Sequence, residues 1–221
     1  MTIVRIAHYS DTHGMIPEKV PSNVDLVVHS GDLPPNWSRG FKPLEETRQT
    51  YWLEQNRNKF AEWLDGKPCL MVMGNHCFVR TDVVLDLPNV FGLGEQVQEF
   101  CGLRFIGFPW VPALTGEWNL EVSERAMDQL FAPVAEQIAE GNVDVLVTHA
   151  PVYGRLDRNA DGVHCGSKAV RGFFDQLKKW PKAHLFGHIH ESKGLQKYYS
   201  RHSVMQASNA ATGMNIVEIA L

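Results

Sequence analysis

The chain has 221 residues, 44% of them hydrophobic and 21% charged, with a net charge of −4. That is enough apolar material for one domain with a full core over residues 1–221, and the basic excess of a general nucleic-acid binder is missing. The first apolar run is too short for a secretory leader, no run approaches the ~18 residues of a membrane span, and the four cysteines (Cys69, Cys77, Cys101, Cys165) form no CxxC pair. A cytoplasmic protein is expected, with neither a disulfide framework nor a thiolate zinc site.

In chain order, the first apolar run is IVRIAH, residues 3–8, which leads into SDTHG. VDLVVH at 24–29 leads into SGD. The segment 45–64 reads as a helix with Tyr51, Leu53, Phe60, Trp63 and Leu64 on one apolar stripe. CLMVM at 69–73 runs straight into GNHC, and LRFIGF at 103–108 is the next strand. A helix over 123–140 opens on Ser123 followed by acids, a capped start. VDVLVTH at 143–149, a third helix over 168–179 and AHLFGH at 183–188 follow, and the stretch from His202 to 219 has room for one or two more strands. The strand runs are short, rich in branched residues and nearly continuously apolar, as strands buried on both faces are. Their alternation with helices predicts an α/β architecture, in which sites gather at the carboxyl ends of strands.

Those ends carry the chemistry. Asp11, Thr12 and His13 follow the first strand, Gly31 and Asp32 the second, Asn75 and His76 the third. Thr148 and His149 close VDVLV, and Gly187, His188, Ile189 and His190 follow HLF. The pairs Asp11/His13 and His188/His190 share an i, i+2 spacing, which in extended chain points both side chains to one face. Two such pairs are expected to grip an ion from opposite sides. Oxygen and imidazole donors suit Mn, Fe, Zn or similar ions better than a thiolate-seeking metal. There are too many for one tetrahedral ion, and a bridging carboxylate joining two ions ~3.5–4 Å apart uses them all.

Taken singly, each of these residues reads equally well as a turn or core polar group; the ordered set argues for metal. His8 and His184 read as structural, His29 as packing behind the ligands, and His202 has no context. Trp110 and Trp118 could wall a cleft or stack a base, with core packing preferred for each. Arg155 and Arg158 follow His149 closely. A guanidinium can clamp a phosphate, although a solvated loop arginine is the commoner case. His164, in DGVHCGSKAV, is balanced between loop packing and a place near substrate.

The order DTH, GD, GNH, TH, GHIH, from Asp11 to His190, resembles the calcineurin-like metallophosphoesterase superfamily. GFPWVP, THAPVYGRLDR and HLFGHIHESKG resemble, beyond those motifs, the small metallophosphoesterase-domain family with mammalian brain-expressed and bacterial members. The resemblance implies a four-layer α/β/β/α sandwich of two mixed sheets flanked by helices. It implies a first metal on Asp11, His13 and His190, a second on Asn75, His149 and His188, and Asp32 bridging. The cofactors would be two divalent ions, Mn favoured over Fe, Zn or Ni. It gives His76 the part of charge stabiliser or proton donor to the leaving oxygen. Cys77 departs from the pattern, which has an Asp or Glu there to orient the histidine, so His76 is expected to lean on a backbone carbonyl or another side chain.

The second motif reads GDLPPNW, where phosphoprotein phosphatases of the superfamily carry GDxxDRG. Neither Pro35 nor Asn36 supplies that arginine's chemistry, which disfavours a protein phosphatase. The resemblance implies a phosphodiesterase in which a metal-bridging hydroxide attacks a small phosphodiester, a cyclic nucleotide foremost. Arg158 and His164 are the candidate substrate contacts. A phosphomonoesterase or nuclease of the same fold, and a non-catalytic scaffold, are the alternatives. No membrane partner is expected.

Overall fold

A computed structural model describes residues 2–17, 19–38, 41–201 and 203–221. His202, with which the last predicted stretch began, and two residues of the loop 34–41 lie outside the described residues. In chain order the elements are β1 (Ile3–Ser10), β2 (Leu26–His29), α1 (Lys42–Leu64), β3 (Cys69–Met71), α2 (Thr81–Leu85), β4 (Val90–Gly92), β5 (Gln98–Phe100) and β6 (Leu103–Phe108). Then come β7 (Val111–Pro112), β8 (Glu121–Val122), α3 (Glu124–Ala139), β9 (Val145–Thr148), α4 (Lys168–Gln176), β10 (Ala183–Phe186), a 3-10 turn (His190–Ser192), β11 (Gln196–Ser200), β12 (Val204–Asn209) and β13 (Gly213–Ala220).

The apolar runs become central strands because both their faces are covered. One sheet has the order β13-β1-β2-β3-β4, parallel except for β13. The other has the order β11-β12-β10-β9-β6-β5, parallel except for its two edge strands. Between the sheets, Ile6, Val28 and Leu70 meet Phe105, Val147 and Leu185 in one buried cluster. On the outer face of the first sheet, α1 lays Leu53, Phe60 and Trp63 against Tyr9 and Val27, with the Tyr9 and Trp63 rings edge-on at 5.1 Å. On the outer face of the second, α3 and α4 bring Phe131, Val170 and Phe174 against Phe108 and Leu146. The result is the four-layer sandwich, with two mixed sheets as the resemblance implied.

Several boundaries differ from the sequence reading. The first helix starts at Lys42, and Tyr51, assigned to its core stripe, is 64% exposed. Tyr51 stands two residues from Leu53, and positions i and i+2 do not share a helix face. The last helix ends at Gln176, short of residue 179. Ser123 does cap α3, its hydroxyl accepting from Ala126 N at 3.3 Å. The C-terminal stretch supplies β12 and β13.

Because β1, β2 and β3 run parallel in one sheet and β9 and β10 in the other, all five loops bearing the polar motifs leave from carboxyl ends. Backbone bonds tie neighbouring loops together: Asp11 N to Gly31 O (2.9 Å), His13 N to Asp32 O (3.0 Å), and Gly187 N to His149 O (3.0 Å).

Candidate metal centre

The expected geometry of the i, i+2 pairs is not what forms. Asp11, His13, Asp32 and His188 all have left-handed backbone, with φ of 52°, 43°, 58° and 67°. His190 opens the 3-10 turn. The side chains reach one point because the chain turns back sharply at each strand end. Asp and His tolerate the left-handed region better than most non-glycine residues, so the residue types that bind metal also permit the turn.

The turns gather two groups whose donor atoms lie within 4.8 Å of one another: Asp11, His13 and His190, and Asp11, Asp32 and His149. Asp11 is the carboxylate common to both groups, whereas the resemblance gave the bridging place to Asp32. Asn75 Oδ1 lies 3.0 Å from His149 Nε2 and 3.1 Å from His188 Nδ1, which adds the remaining two expected ligands to the cluster. All seven residues assigned to metal therefore converge.

The cluster has the chemistry of a cation site. His149 Nδ1 donates to Ser30 O at 2.8 Å, which leaves Nε2 as the lone-pair nitrogen of a neutral ring. That nitrogen faces only acceptors: Asn75 Oδ1, and Asp32 Oδ2 at 3.0 Å. Asp32 Oδ2 is buried and receives no hydrogen bond among the described residues. Oxygens and a lone pair converging in a buried space need a cation between them, a metal ion or a proton. Burial works against charge on His149, yet the Asp32 carboxylate, then Asp11, push its imidazole up to about 9. Burial raises Asp32, and the His149 ring outweighs it, holding that carboxyl well below its usual range.

Three glycines make room. A Cβ on Gly74 would sit 2.2 Å from Asp32 Oδ1, one on Gly187 2.1 Å from Asp11 Oδ2, and one on Gly31 2.4 Å from His149 Nδ1. Gly31 also has a φ of 112°, which an L side chain adopts only with strain. The buried histidines outside the ligand set brace the loops. His8 bridges Ser30 and Ser208, His29 meets Thr12 Oγ1 at 3.1 Å, and His184 meets Thr148 Oγ1 at 2.8 Å.

His76 stands at the rim. Its ring lies 5.1 Å from that of His13 and 3.9 Å from that of Trp118. Trp118 is therefore not a core residue, as the sequence reading preferred, but a half-exposed wall against the histidine. Trp110 does pack partly buried against the α3–α4 core. Asn119 fastens the wall, with N donating to Asn75 O (3.0 Å) and Nδ2 to Cys77 O (2.7 Å). Cys77 is buried 3.8 Å from Asp32 Oδ1, and burial pushes its thiol up to about 12.

The orienting partner of His76 is Asn36, which sequence reasoning missed. Asn36 Oδ1 lies 2.9 Å from His76 Nδ1, and Asn36 Nδ2 donates to the His76 carbonyl at 3.0 Å. Gln49 Nε2 donates to the same carbonyl at 2.7 Å, and its Oε1 accepts from Phe78 N. The only signal was position: Asn36 shares the loop of Asp32. Burial lowers the His76 imidazole from its ordinary value, against the pull of Asp32.

Arg158 and His164 lie on the neighbouring loop, paired by a backbone bridge. His164 Nδ1 is 2.5 Å from the buried Asp157 Oδ1, while the exposed Arg158 guanidinium donates back to Gly162 O. Asn209 Nδ2 donates to Leu156 O and Ile189 O, which sets this loop beside the His188–His190 segment. Arg155, read as a solvated loop residue, is instead 1% exposed.

A two-sheet sandwich with Asp, Asn and His donors at one strand edge defines a metal-dependent phosphoesterase architecture. The calcineurin-like phosphoesterase family matches residues 4–192, and the chain belongs to that family. It is 28% identical over 225 residues to human metallophosphoesterase domain-containing protein 1, covering 86% of this chain and 62% of that protein. It is 31% identical over 206 residues to UPF0046 protein C25E10.12 of Caenorhabditis elegans, covering 87% of this chain and 70% of that one. It is 32% identical over 110 residues to UPF0046 protein T07D4.2 of the same organism, covering 49% of this chain. The chain spans only 26% of that relative's length. No helix among the described residues is long and apolar enough to cross a membrane.

Proposed function

We propose that the chain is a dinuclear metal-dependent phosphodiesterase acting on a small phosphodiester, with a cyclic nucleotide the favoured type. The observation that carries this reading is the ring of acceptors around His149 Nε2, with His76 at its rim. Asp11, His13 and His190 would hold one divalent ion and Asn75, His149 and His188 the other, with Asp32 between them. Manganese is the proposed metal, consistent with a donor set of oxygens and imidazoles. Bound there, two such ions activate water and neutralise phosphoryl oxygens.

The protein's own part is positioning and proton transfer. Asn36 Oδ1 accepts a hydrogen bond from His76 Nδ1, so Nε2, which carries a second proton in the charged ring, is the atom left to meet the leaving oxygen as a proton donor. Trp118 offers an aromatic face beside it, which suits a base or aromatic leaving group. Arg158 and His164, on the adjoining loop, are the proposed contacts to the rest of the substrate. The preference for a diester rests on the resemblance to the small metallophosphoesterase-domain family, and GDLPPNW, which has Asn36 where phosphoprotein phosphatases of the superfamily carry an arginine, speaks against a protein phosphatase. A single domain and a cytoplasmic location complete the reading, the latter resting on the four cysteines, all free.

The test compares hydrolysis of bis(p-nitrophenyl) phosphate and p-nitrophenyl phosphate with Mn²⁺ and with chelator. Metal-dependent turnover favouring the diester is expected. Preference for the monoester overturns the diesterase assignment, and turnover that survives chelation overturns the metal centre. Asp32→Asn should lose metal and activity together, while His76→Ala should keep metal and lose rate.

A further inference from the structure

Arg155 is buried without an ion-pair partner among the described residues. It follows β9 in the loop that begins at the metal centre, but its guanidinium turns away beneath α4. There it lies 4.2 Å from the Trp180 ring, 4.7 Å from Phe174 and 5.4 Å from Tyr199. The residue is 1% exposed, and among the described residues its Nη1 has no acceptor and no carboxylate pairs with it. Aromatic faces attract a guanidinium, but they cannot accept its planar array of N–H donors. A charged donor left unpaired in the interior is costly. Burial, with help from the nearby Arg171, lowers the guanidinium to about 10.

Beside it, between α4 and β11, opens a recess of about 500 Å³ lined also by Arg171, Asp175, Tyr199 and Arg201. The one carboxylate that lines it among the described residues is already engaged. Asp175 accepts from Arg171 Nε with both oxygens at 2.9 Å, and its Oδ1 lies 3.7 Å from Arg201 Nη1. Among the described residues that line it, three guanidiniums against one carboxylate leave a surplus of two positive charges. No residue of this recess belongs to the metal-competent cluster.

We infer that this recess is a second binding site, for a dianionic phosphate group that pairs with Arg155 from the open side, between Arg171 and Arg201. A dianion matches the charge surplus, and the planar fork of a guanidinium presents parallel donors to two phosphate oxygens. The Trp180 and Tyr199 rings that line the recess leave fewer polar neighbours around the pair, which strengthens it. The inference stands independently of the reaction at the metal centre.

Thermal unfolding of the metal-loaded full chain tests it, with inorganic phosphate as the probe and acetate at equal ionic strength as the monoanion control. Phosphate at roughly tenfold its Kd should raise Tm by about 3–6 °C in the wild type. Asp32→Asn, which disables the metal centre, should keep the rise; Arg155→Met and Arg201→Gln should lose most of it. Arg201 is half-exposed, so its variant carries the test even where Arg155→Met fails to fold. Ribose 5-phosphate in place of phosphate separates the sources: a larger rise identifies an esterified phosphate, an equal or smaller one the free ion. A rise unchanged in both arginine variants, a rise lost in Asp32→Asn, or an equal rise with acetate overturns the proposal.

Discussion

Asn36 grips His76 at two points, its Oδ1 2.9 Å from the imidazole Nδ1 and its Nδ2 donating to the same residue's carbonyl at 3.0 Å. The second bond fixes the first. With Nδ2 committed to a carbonyl, Oδ1 must face the ring, and His76 must carry its proton on Nδ1. The amide thus does the orienting that an acidic residue in place of Cys77 would do. Asn36→Leu is expected to lower kcat by roughly 10- to 100-fold, the usual scale for residues that orient a site, with metal content unchanged. Asn36→Asp should restore most of kcat and move the alkaline limb of the pH–rate profile upward, because a carboxylate favours the charged ring, the form that donates the proton. Steady-state kinetics beside metal analysis decides it; equal kcat for wild type and Asn36→Leu removes the assigned role.

Trp118 lies with its ring 3.9 Å from that of His76, tilted by 40°. Its half-exposed face is the aromatic surface against the proposed reacting centre. Stacking on such a face contributes about 1–3 kcal/mol per base. Trp118→Ala should therefore raise KM for an aromatic or nucleotide diester at least ~5-fold, the equivalent of about 1 kcal/mol. The same variant should change KM for a diester with a small alkyl group much less. A uniform change across substrates would make Trp118 a support for the loop rather than a contact.

The central strands could be read from the sequence because each is buried on both faces and leaves an apolar run. Three of the four edges of the two large sheets could not. β11, QKYYS, is largely exposed, and β4 and β5 are three residues each, so none carries a pattern. The polar motifs at strand ends were equally legible, since residue type and order survive without coordinates. Their aim was not. Asp11, His13 and His188 point inward through left-handed turns, where i, i+2 spacing implies extended chain. Asn36, Gln49 and Asn119 were invisible for another reason. They meet the GNHC segment across 40, 27 and 42 residues of sequence, by tertiary contacts that no local spacing records.

The buried histidines predict a stability profile for the metal-free protein. Burial holds His8 down to about 3, and His29 and His188 down to about 4. Their neutral forms contribute stability above the ordinary value of 6.5, and it is lost as pH falls toward those values. His149 has the opposite sign. Despite burial, the Asp32 and Asp11 carboxylates raise it to about 9, so its contribution is full below 6.5 and is lost as pH rises through about 9. Chelated protein should thus show a Tm maximum near neutrality and a decline on both sides. A divalent ion takes the place of the His149 proton, so metal-loaded protein should keep its Tm on the alkaline side and release a proton on binding. Tm scans across that range with Mn²⁺ and with chelator check this. An alkaline decline that is the same in both samples would show that His149 does not exchange a proton for metal.

Gly187 tests the cradle with a single methyl group. Its backbone is not left-handed, so alanine there brings no φ penalty, only a Cβ 2.0 Å from Ser10 Oγ and 2.1 Å from Asp11 Oδ2. Those atoms belong to the end of β1 and to the carboxylate shared by both donor groups. Gly187→Ala should displace Asp11, lower the metal stoichiometry, abolish most turnover and destabilise the chelated protein by about 1–3 kcal/mol through overpacking. Gly172 is the matched control. It lies inside α4 with nothing within 4 Å of where an alanine methyl would sit, so Gly172→Ala should stabilise by about 0.5–1 kcal/mol and leave metal content alone. Metal analysis and thermal unfolding of the two variants side by side separate a steric block at the centre from a general effect of adding a methyl. Full metal loading in Gly187→Ala would mean that Asp11 is not held where the donor groups require it.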